Sequence, residues 1–234
     1  MTKHPIILWT LTAPPPRGTG TDLEFVHLPF IRIDLLTGAV DPERLAICRS
    51  AVVTSRWAVA ALAPHRDALA RLPIVAIGEG TRKQLLAAGG SEITAPAQAT
   101  GSDLVKLLKE QPPPPPVFFP HGNLGGEEVQ AYLEATDTDH YSPVVYRTIE
   151  RSTGDLRRLL AGGANLSAVA LGSPSAVSVW QKLKLNRPIA TIGPTTSQAC
   201  RQAGLEVWRE ARAGDPVDLA RQFTDRFGES LRPA

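Results

Sequence analysis

Short, almost unbroken apolar runs alternate with amphipathic stretches along this chain. Residues 6–9 (IILW), 51–53, 74–77, 117–119, 168–171 and 189–192 carry no charged side chain. A strand exposed on one face alternates apolar with polar positions; runs that do not alternate read as strands buried on both faces, which pair in parallel sheets. Between them, apolar positions three and four apart predict helices over residues 55–62, 81–88, 101–109, 125–135, 173–183, 195–203 and 216–227. Strand followed by helix, repeated along the chain, is the signature of an α/β fold.

Two longer segments break the rhythm. Residues 24–35 (EFVHLPFIRIDL) and 141–151 (YSPVVYRTIER) read as partly polar strands, and each contains a proline, Pro29 or Pro143. Proline cannot donate to a sheet ladder, which argues against a central buried strand in either place. They are read as paired connectors: residues 26–40 and 142–151 join a middle α/β lobe, 41–141, to a terminal lobe assembled from 1–25 and 152–234. The five prolines at 112–116 cannot form helix, and as polyproline II they span only about 15 Å. Because they run straight into the apolar residues 117–119, they are expected to be a stiff surface connection inside the middle lobe.

An internal duplication supports two lobes of like design. Thr54-Ser55-Arg56-Trp57-Ala58-Val59 aligns with Gly172-Ser173-Pro174-Ser175-Ala176-Val177, and Ile77-Gly78-Glu79-Gly80-Thr81 with Ile192-Gly193-Pro194-Thr195-Thr196. Gly89 and Leu104 find counterparts in Gly204 and Leu219. Each repeat ends a buried run with small polar residues and starts a helix. The serines are natural helix caps, and in Ile-Gly-x-x-Thr the glycine permits a tight turn while the threonine is expected to cap. In open α/β sheets the ligand crevice lies beyond the carboxyl ends of the strands, where helix N-termini present free N–H groups. Two lobes with two such turns each predict a cleft suited to carboxylates or phosphates.

Charge and composition narrow the field. With 25 Lys and Arg against 23 Asp and Glu, the net charge of the 234-residue chain is only +2, and 43% of residues are hydrophobic. That is no polybasic nucleic-acid binder, and long-range steering of an anion is weak. Cys48 and Cys200 lack metal-type spacing, and the five histidines show no i, i+4 pairing, so no metal site is expected. The N-terminal apolar patch is too short for a signal peptide or a membrane span. Gly78-Glu79-Gly80 starts like a dinucleotide fingerprint but has Lys83 at the third glycine position; no phosphate loop and no GxSxG elbow occur. Arg56, Arg82 and Arg147 flank the motifs as possible anion contacts, with surface solvation as their ordinary fate.

Taken in order, Thr54-Ser55-x-x-Ala58-Val59, Ala76-Ile77-Gly78-x-x-Thr81, Gly101-Ser102-Asp103-Leu104, Val145-Tyr146-Arg147-Thr148, Ser173-Pro174-Ser175-Ala176-Val177 and Ala190 to Thr196 resemble the uroporphyrinogen-III synthase family over nearly the whole chain. The resemblance implies two flavodoxin-like parallel-sheet lobes joined by a two-stranded connector. It implies a hydro-lyase of tetrapyrrole (haem) biosynthesis that cyclises hydroxymethylbilane with inversion of ring D and loss of water. No metal or organic cofactor, a monomer and a cytoplasmic location go with it. Tyr146 matches the connector tyrosine of the family and is the candidate acid, since a phenol keeps its proton at neutral pH. Ser55, Gly78, Thr81, Ser173, Ser175, Gly193, Thr195 and Thr196 are the candidate substrate-binding residues. Two departures stand out: the family's first helix is missing after Trp9, and Pro120-His121-Gly122-Asn123 replaces a common arginine-glycine pair. The alternative reading is a non-catalytic bilobal module that binds a tetrapyrrole or another anion on the same fold.

Overall fold

Every apolar run named above is a β-strand, and every amphipathic stretch contains a helix. The structure, a computed structural model, describes residues 4–17, 23–161 and 166–228. The chain begins with β1 (Ile6–Trp9), β2 (Glu24–His27) and β3 (Ile31–Leu35). It continues through α1 (Pro42–Ala46), β4 (Ser50–Val53), α2 (Arg56–Ala61), α3 (Arg66–Leu69), β5 (Ile74–Ala76), α4 (Glu79–Ala87), β6 (Ile93–Thr94), α5 (Gly101–Glu110), β7 (Val117–Phe118), β8 (His121–Gly122), α6 (Glu127–Ala135) and β9 (His140–Tyr141). After β10 (Val144–Glu150) come α7 (Thr153–Ala161), β11 (Leu166–Leu171), α8 (Pro174–Leu183), β12 (Ile189–Thr191), α9 (Pro194–Gln202), β13 (Val207–Glu210) and α10 (Pro216–Gly228). Two compact units result, Met1–Arg32 with Ile149–Ala234 (unit 1) and Ile33–Thr148 (unit 2).

Unit 2 is built on a parallel sheet in the order β6-β5-β4-β7-β9. Numbered along the unit this is 3-2-1-4-5, a doubly wound sheet whose order reverses between β4 and β7. The period of two along a strand divides the side chains of β4 between two cores. Ala51 and Val53 pack with Ala58 and Ala61 of α2 and Leu85 of α4, whereas Val52 packs with Leu104 and Leu108 of α5 and Val129 and Leu133 of α6. All three β4 residues are fully buried, which is why this strand shows no alternation in the sequence.

Unit 1 repeats the plan with its chain order rotated. Its parallel sheet runs β13-β12-β11-β1-β2, so counting from β11 again gives 3-2-1-4-5. The duplication reappears in detail. Gly89 and Gly204 follow α4 and α9 with φ of 100° and 71°, the left-handed position that ends many helices and that glycine adopts without strain. Leu104 and Leu219 each stand fourth in their helices and are fully buried.

The units differ on one face. In unit 2, α5 and α6 together cover the side of Val52 and Phe119. In unit 1 the matching face, with Ile7, Trp9, Ala168 and Ala170, is covered by α10 and by aromatic rings. The connection from β1 to β2 is residues 10–23, and those described in it form no helix; residues 18–22 lie outside the described residues. Parallel neighbours need a connection of about a dozen residues, which this segment supplies. Trp9, edge-on to Phe25 at 5.7 Å, and Phe25, edge-on to Phe223 at 6.4 Å, fill the space a helix would otherwise fill.

The two segments read as single long strands are each divided at their proline. Residues 24–35 form β2, an edge strand of the unit 1 sheet, and β3, with Pro29 in the break; residues 141–151 split at Pro143 into the end of β9 and β10. The missing proline N–H explains both breaks. Beyond them β3 and β10 lie side by side with β8 in a third sheet. Leu36 N–H donates to Val145 O and Arg151 N–H to Phe30 O, both at 2.8 Å; position rises on one strand as it falls on the other, so the ladder is antiparallel. The prolines 112–116 connect α5 to β7 within unit 2, tied down by Ser50 Oγ donating to Pro114 O at 2.7 Å.

Candidate functional site

A 3-2-1-4-5 sheet opens a crevice where the order reverses, beyond the carboxyl ends of the first and fourth strands. In unit 2 that crevice is a cavity of about 380 Å³. It is lined by Thr54 after β4, Ile77 after β5, Gly101 at the start of α5, Gly122 of β8, Glu128 of α6 and Tyr146 of β10.

Tyr146 owes its place to the pairing of β10 with β8. The register sets Tyr146 opposite Gly122, and a Cβ at 122 would come within 2.3 Å of the ring carbon Cζ and 2.7 Å of Oη. Only glycine leaves room for the ring to lie across that strand. The hydroxyls of the other two tyrosines are committed to the fold. Tyr132 Oη donates to Leu108 O at 2.9 Å, and Tyr141 Oη accepts from Asp41 N–H at 2.7 Å. Among the described residues neither Tyr146 Oη nor the Thr54 hydroxyl has a hydrogen-bond partner, so both are available to a ligand in the cavity.

The other predicted residues fall into two kinds. Ser55 and Ser173 are caps: Ser55 Oγ accepts from Trp57 N–H at 3.1 Å, and Ser173 Oγ from Ala176 N–H at 3.2 Å. At the Ile-Gly-x-x-Thr turns the expected threonine caps are not formed. Gly78 and Gly193 themselves stand at the cap positions of α4 and α9, and neither helix has a side-chain cap bond; α4 leaves its first-turn amides for other acceptors, whereas in α9 Pro194 has no N–H and Thr196 N–H donates to Gly193 O at 3.1 Å, which leaves the Thr195 amide. Both glycines are extended, so conformational freedom is not what requires them. Gly78 is needed for clearance, because a Cβ there would meet the Cβ of Ala99 at 2.5 Å. Thr81 and Thr196 are buried within the first turns, Thr195 is exposed, and Ser175 is half-buried at the start of α8.

β4 pairs with β5 and β11 with β12, so each unit brings its serine turn and its glycine turn to one edge of its sheet. Of the predicted residues, Tyr146 lines the cavity; Thr54, Gly101, Gly122 and Glu128 line it too and were not among the predicted site residues. Thr54 and Gly101 do stand inside the quoted motifs, but nothing local separates them from ordinary turn residues.

The corresponding crevice of unit 1, between β11 and β1, is occupied by the protein itself. Gly172, the counterpart of Thr54, lies against Leu11: a Cβ at 172 would come within 2.6 Å of Leu11 Cγ. Leu11 is 8% exposed, and the preceding Thr10 anchors the turn by donating its hydroxyl to Ala170 O at 2.8 Å.

Of the three flanking arginines, Arg147 is exposed and the other two are engaged elsewhere. Arg56 stacks over Trp57, and Arg82 donates to Ile93 O and pairs with Glu79. No lysine or arginine lines the unit 2 cavity, whereas Glu127 and Glu128 do. Burial pushes the thiol of Cys200 up to about 11, against the pull of Arg201, and burial also raises Cys48, so both remain protonated thiols at neutral pH.

The sequence model of the family described as uroporphyrinogen-III synthase HemD matches residues 20–220. The chain belongs to the uroporphyrinogen-III synthase family. The synthase fold recurs in solved structures. Uroporphyrinogen-III synthetase from Helicobacter pylori 26695 is 16% identical, with a TM-score of 0.66 over 97% of this chain and 100% of that one. A mutant uroporphyrinogen III synthase from the extremely thermophilic bacterium Thermus thermophilus is 15% identical, with a TM-score of 0.68 over 96% of this chain and 99% of that one. At such identities these likenesses establish the two-lobed synthase fold. No curated protein matches the chain at a significant level. The family is one of porphyrin biosynthesis, and among the described residues no helix is long and apolar enough to cross a membrane.

Proposed function

We propose that the chain is a hydro-lyase that converts hydroxymethylbilane to uroporphyrinogen III, with Tyr146 as its acid. The observation that carries this reading is the unpartnered Tyr146 hydroxyl in the cavity at the unit 2 switch point, held there by its fit over Gly122, in a chain of the synthase family. As the C–O bond of the substrate's hydroxymethyl group breaks, its electron pair goes to oxygen. Tyr146 donates to that oxygen and helps it leave as water. The methylene left behind is electrophilic. Attack from the substituted carbon of ring D gives a spiro intermediate; the bond from that carbon to its original methylene then breaks, its electron pair restoring ring D, and the unsubstituted carbon of the inverted ring bonds the released methylene and loses its proton. Most of the task is to hold a flexible chain so that this carbon, and not its unsubstituted neighbour, meets the methylene.

The acetate and propionate groups of the bilane are assigned to the strand-end turns: Ser55, Gly78 and Thr81 in one unit, Ser173, Ser175, Gly193, Thr195 and Thr196 in the other. With the serine hydroxyls capping and the glycine turns lacking a side-chain cap, backbone amides carry more of this binding than hydroxyls do. Residues 26–40 and 142–151 are taken as the connecting strands between lobes 41–141 and 1–25 with 152–234. The same reading includes a monomer working in the cytoplasm without a cofactor. The test is to give purified protein freshly generated hydroxymethylbilane, oxidise the products and separate the uroporphyrin isomers. Type III in excess over a protein-free control is expected; type I alone from folded protein refutes the activity and favours the binding-module reading.

A further inference from the structure

The cavity that holds Tyr146 is acidic on its own side, while the exposed Glu128 also borders an adjoining pocket with Lys106 and Lys109. The lining of the Tyr146 cavity contains Glu127 and Glu128 and no cationic side chain. An acetate or propionate arm would be repelled there, so the part of a polycarboxylate substrate that enters must present something else. At about 380 Å³ there is room for a single substituted pyrrole ring and not for four. A pyrrole offers one polar group besides its arms, the N–H.

An acidic residue in a first helical turn is ordinary helix chemistry. That does not account for where Glu128 puts its carboxylate. The group lies directly on Gly101, the first residue of α5: a Cβ on Gly101 would stand 2.1 Å from Glu128 Oε2 and 2.7 Å from its Cδ. Gly101 has neither a positive φ nor a tight turn to explain it, and glycine there keeps Glu128 in the cavity that Tyr146 lines.

Building on the function proposed above, we infer that Glu128 is a second catalytic residue, which accepts a hydrogen bond from the N–H of the hydroxymethyl-bearing pyrrole and stabilises the cation formed when water leaves. The C–O bond breaks with its electrons on oxygen; the oxygen takes a proton from Tyr146, which regains one from solvent, and departs as water. The ring is left with a positive charge spread onto its N–H, where the Glu128 carboxylate meets it. When the ring D carbon forms the new C–C bond, electrons return to the first ring and the positive charge passes to ring D. The same carboxylate turns the ring's acidic arms away, which fixes which edge of the pyrrole faces inward.

Two variants test this assignment, read by steady-state kinetics of type III formation on freshly generated hydroxymethylbilane. Glu128→Gln keeps the shape and removes the charge; Gly101→Ala keeps Glu128 and displaces its carboxylate. Both are expected to lower kcat about ten-fold or more, with KM unchanged in Gly101→Ala and unchanged or lower in Glu128→Gln, where the charge that repels the substrate is gone. A kcat within two-fold of wild type in either variant, or a loss confined to KM, overturns the role. Wild-type protein making no type III is a separate result and strikes the proposed function itself.

Discussion

In unit 2 the fourth strand of the sheet is followed by Gly122 and α6, and the residue after the first strand is Thr54, which lines an open cavity. In unit 1 the fourth strand is followed by Thr10 and Leu11, the equivalent of Thr54 is Gly172, and Leu11 lies on that glycine. One strand order therefore yields an open crevice in one unit and a filled one in the other. The difference lies in the segment that leaves the fourth strand. Where α6 comes next, its first turn helps to line a cavity; where the described residues form no helix, apolar side chains take the space, and Trp9 is wholly buried as part of that repair. Fold duplication fixed two possible sites, and local side-chain volume decided between them.

The largest effect that would break this comparison is on the repair itself. Trp9→Ala removes a fully buried indole on the face where the described residues between β1 and β2 form no helix, and is expected to cost about 3–5 kcal/mol, read as a lowered urea midpoint. Gly172→Ala forces a methyl against Leu11 and should cost about 1–3 kcal/mol by the same measurement. The matching position in unit 2 should respond in activity instead. Thr54→Val keeps the shape and removes the hydroxyl, and is expected to lower kcat/KM about five-fold, roughly the worth of one hydrogen bond, while leaving the urea midpoint nearly unchanged. If Thr54→Val altered only stability and Gly172→Ala only turnover, the assignment of open and filled crevices would be reversed.

The parts of this molecule that show in the sequence are those set by local rules. A strand buried on both faces writes its burial as an apolar run, so β1, β4, β5, β7, β11 and β12 can be located, and the duplicated Ser and Gly turns point to two like sheets. The glycines after α4 and α9 match because helix termination demands them. Long-range fit leaves no such trace. Gly122 is a glycine because Tyr146 lies across it, 24 positions later in the chain; Gly172 is one because Leu11 does. Gly78 reads as a product of turn geometry, whereas its reason is Ala99. The threonines at the Ile-Gly-x-x-Thr turns look like caps by composition, but the glycine backbone already occupies the cap position and the side chains go elsewhere. Tyr146 stands out through family likeness, and the cavity, the missing hydroxyl partner and the Glu128 carboxylate emerge only once β8 and β10 are paired.

The account rests on the phenol in the unit 2 cavity. Tyr146→Phe retains the ring that packs on Gly122 and deletes the donor, so fold and substrate affinity should persist. Type III formation from hydroxymethylbilane is expected to fall about 100-fold, the scale of a lost general acid, with an unchanged urea midpoint. Turnover to type III at the wild-type rate in that variant would contradict the assignment of Tyr146 as the acid and of this cavity as the place where the ring closes.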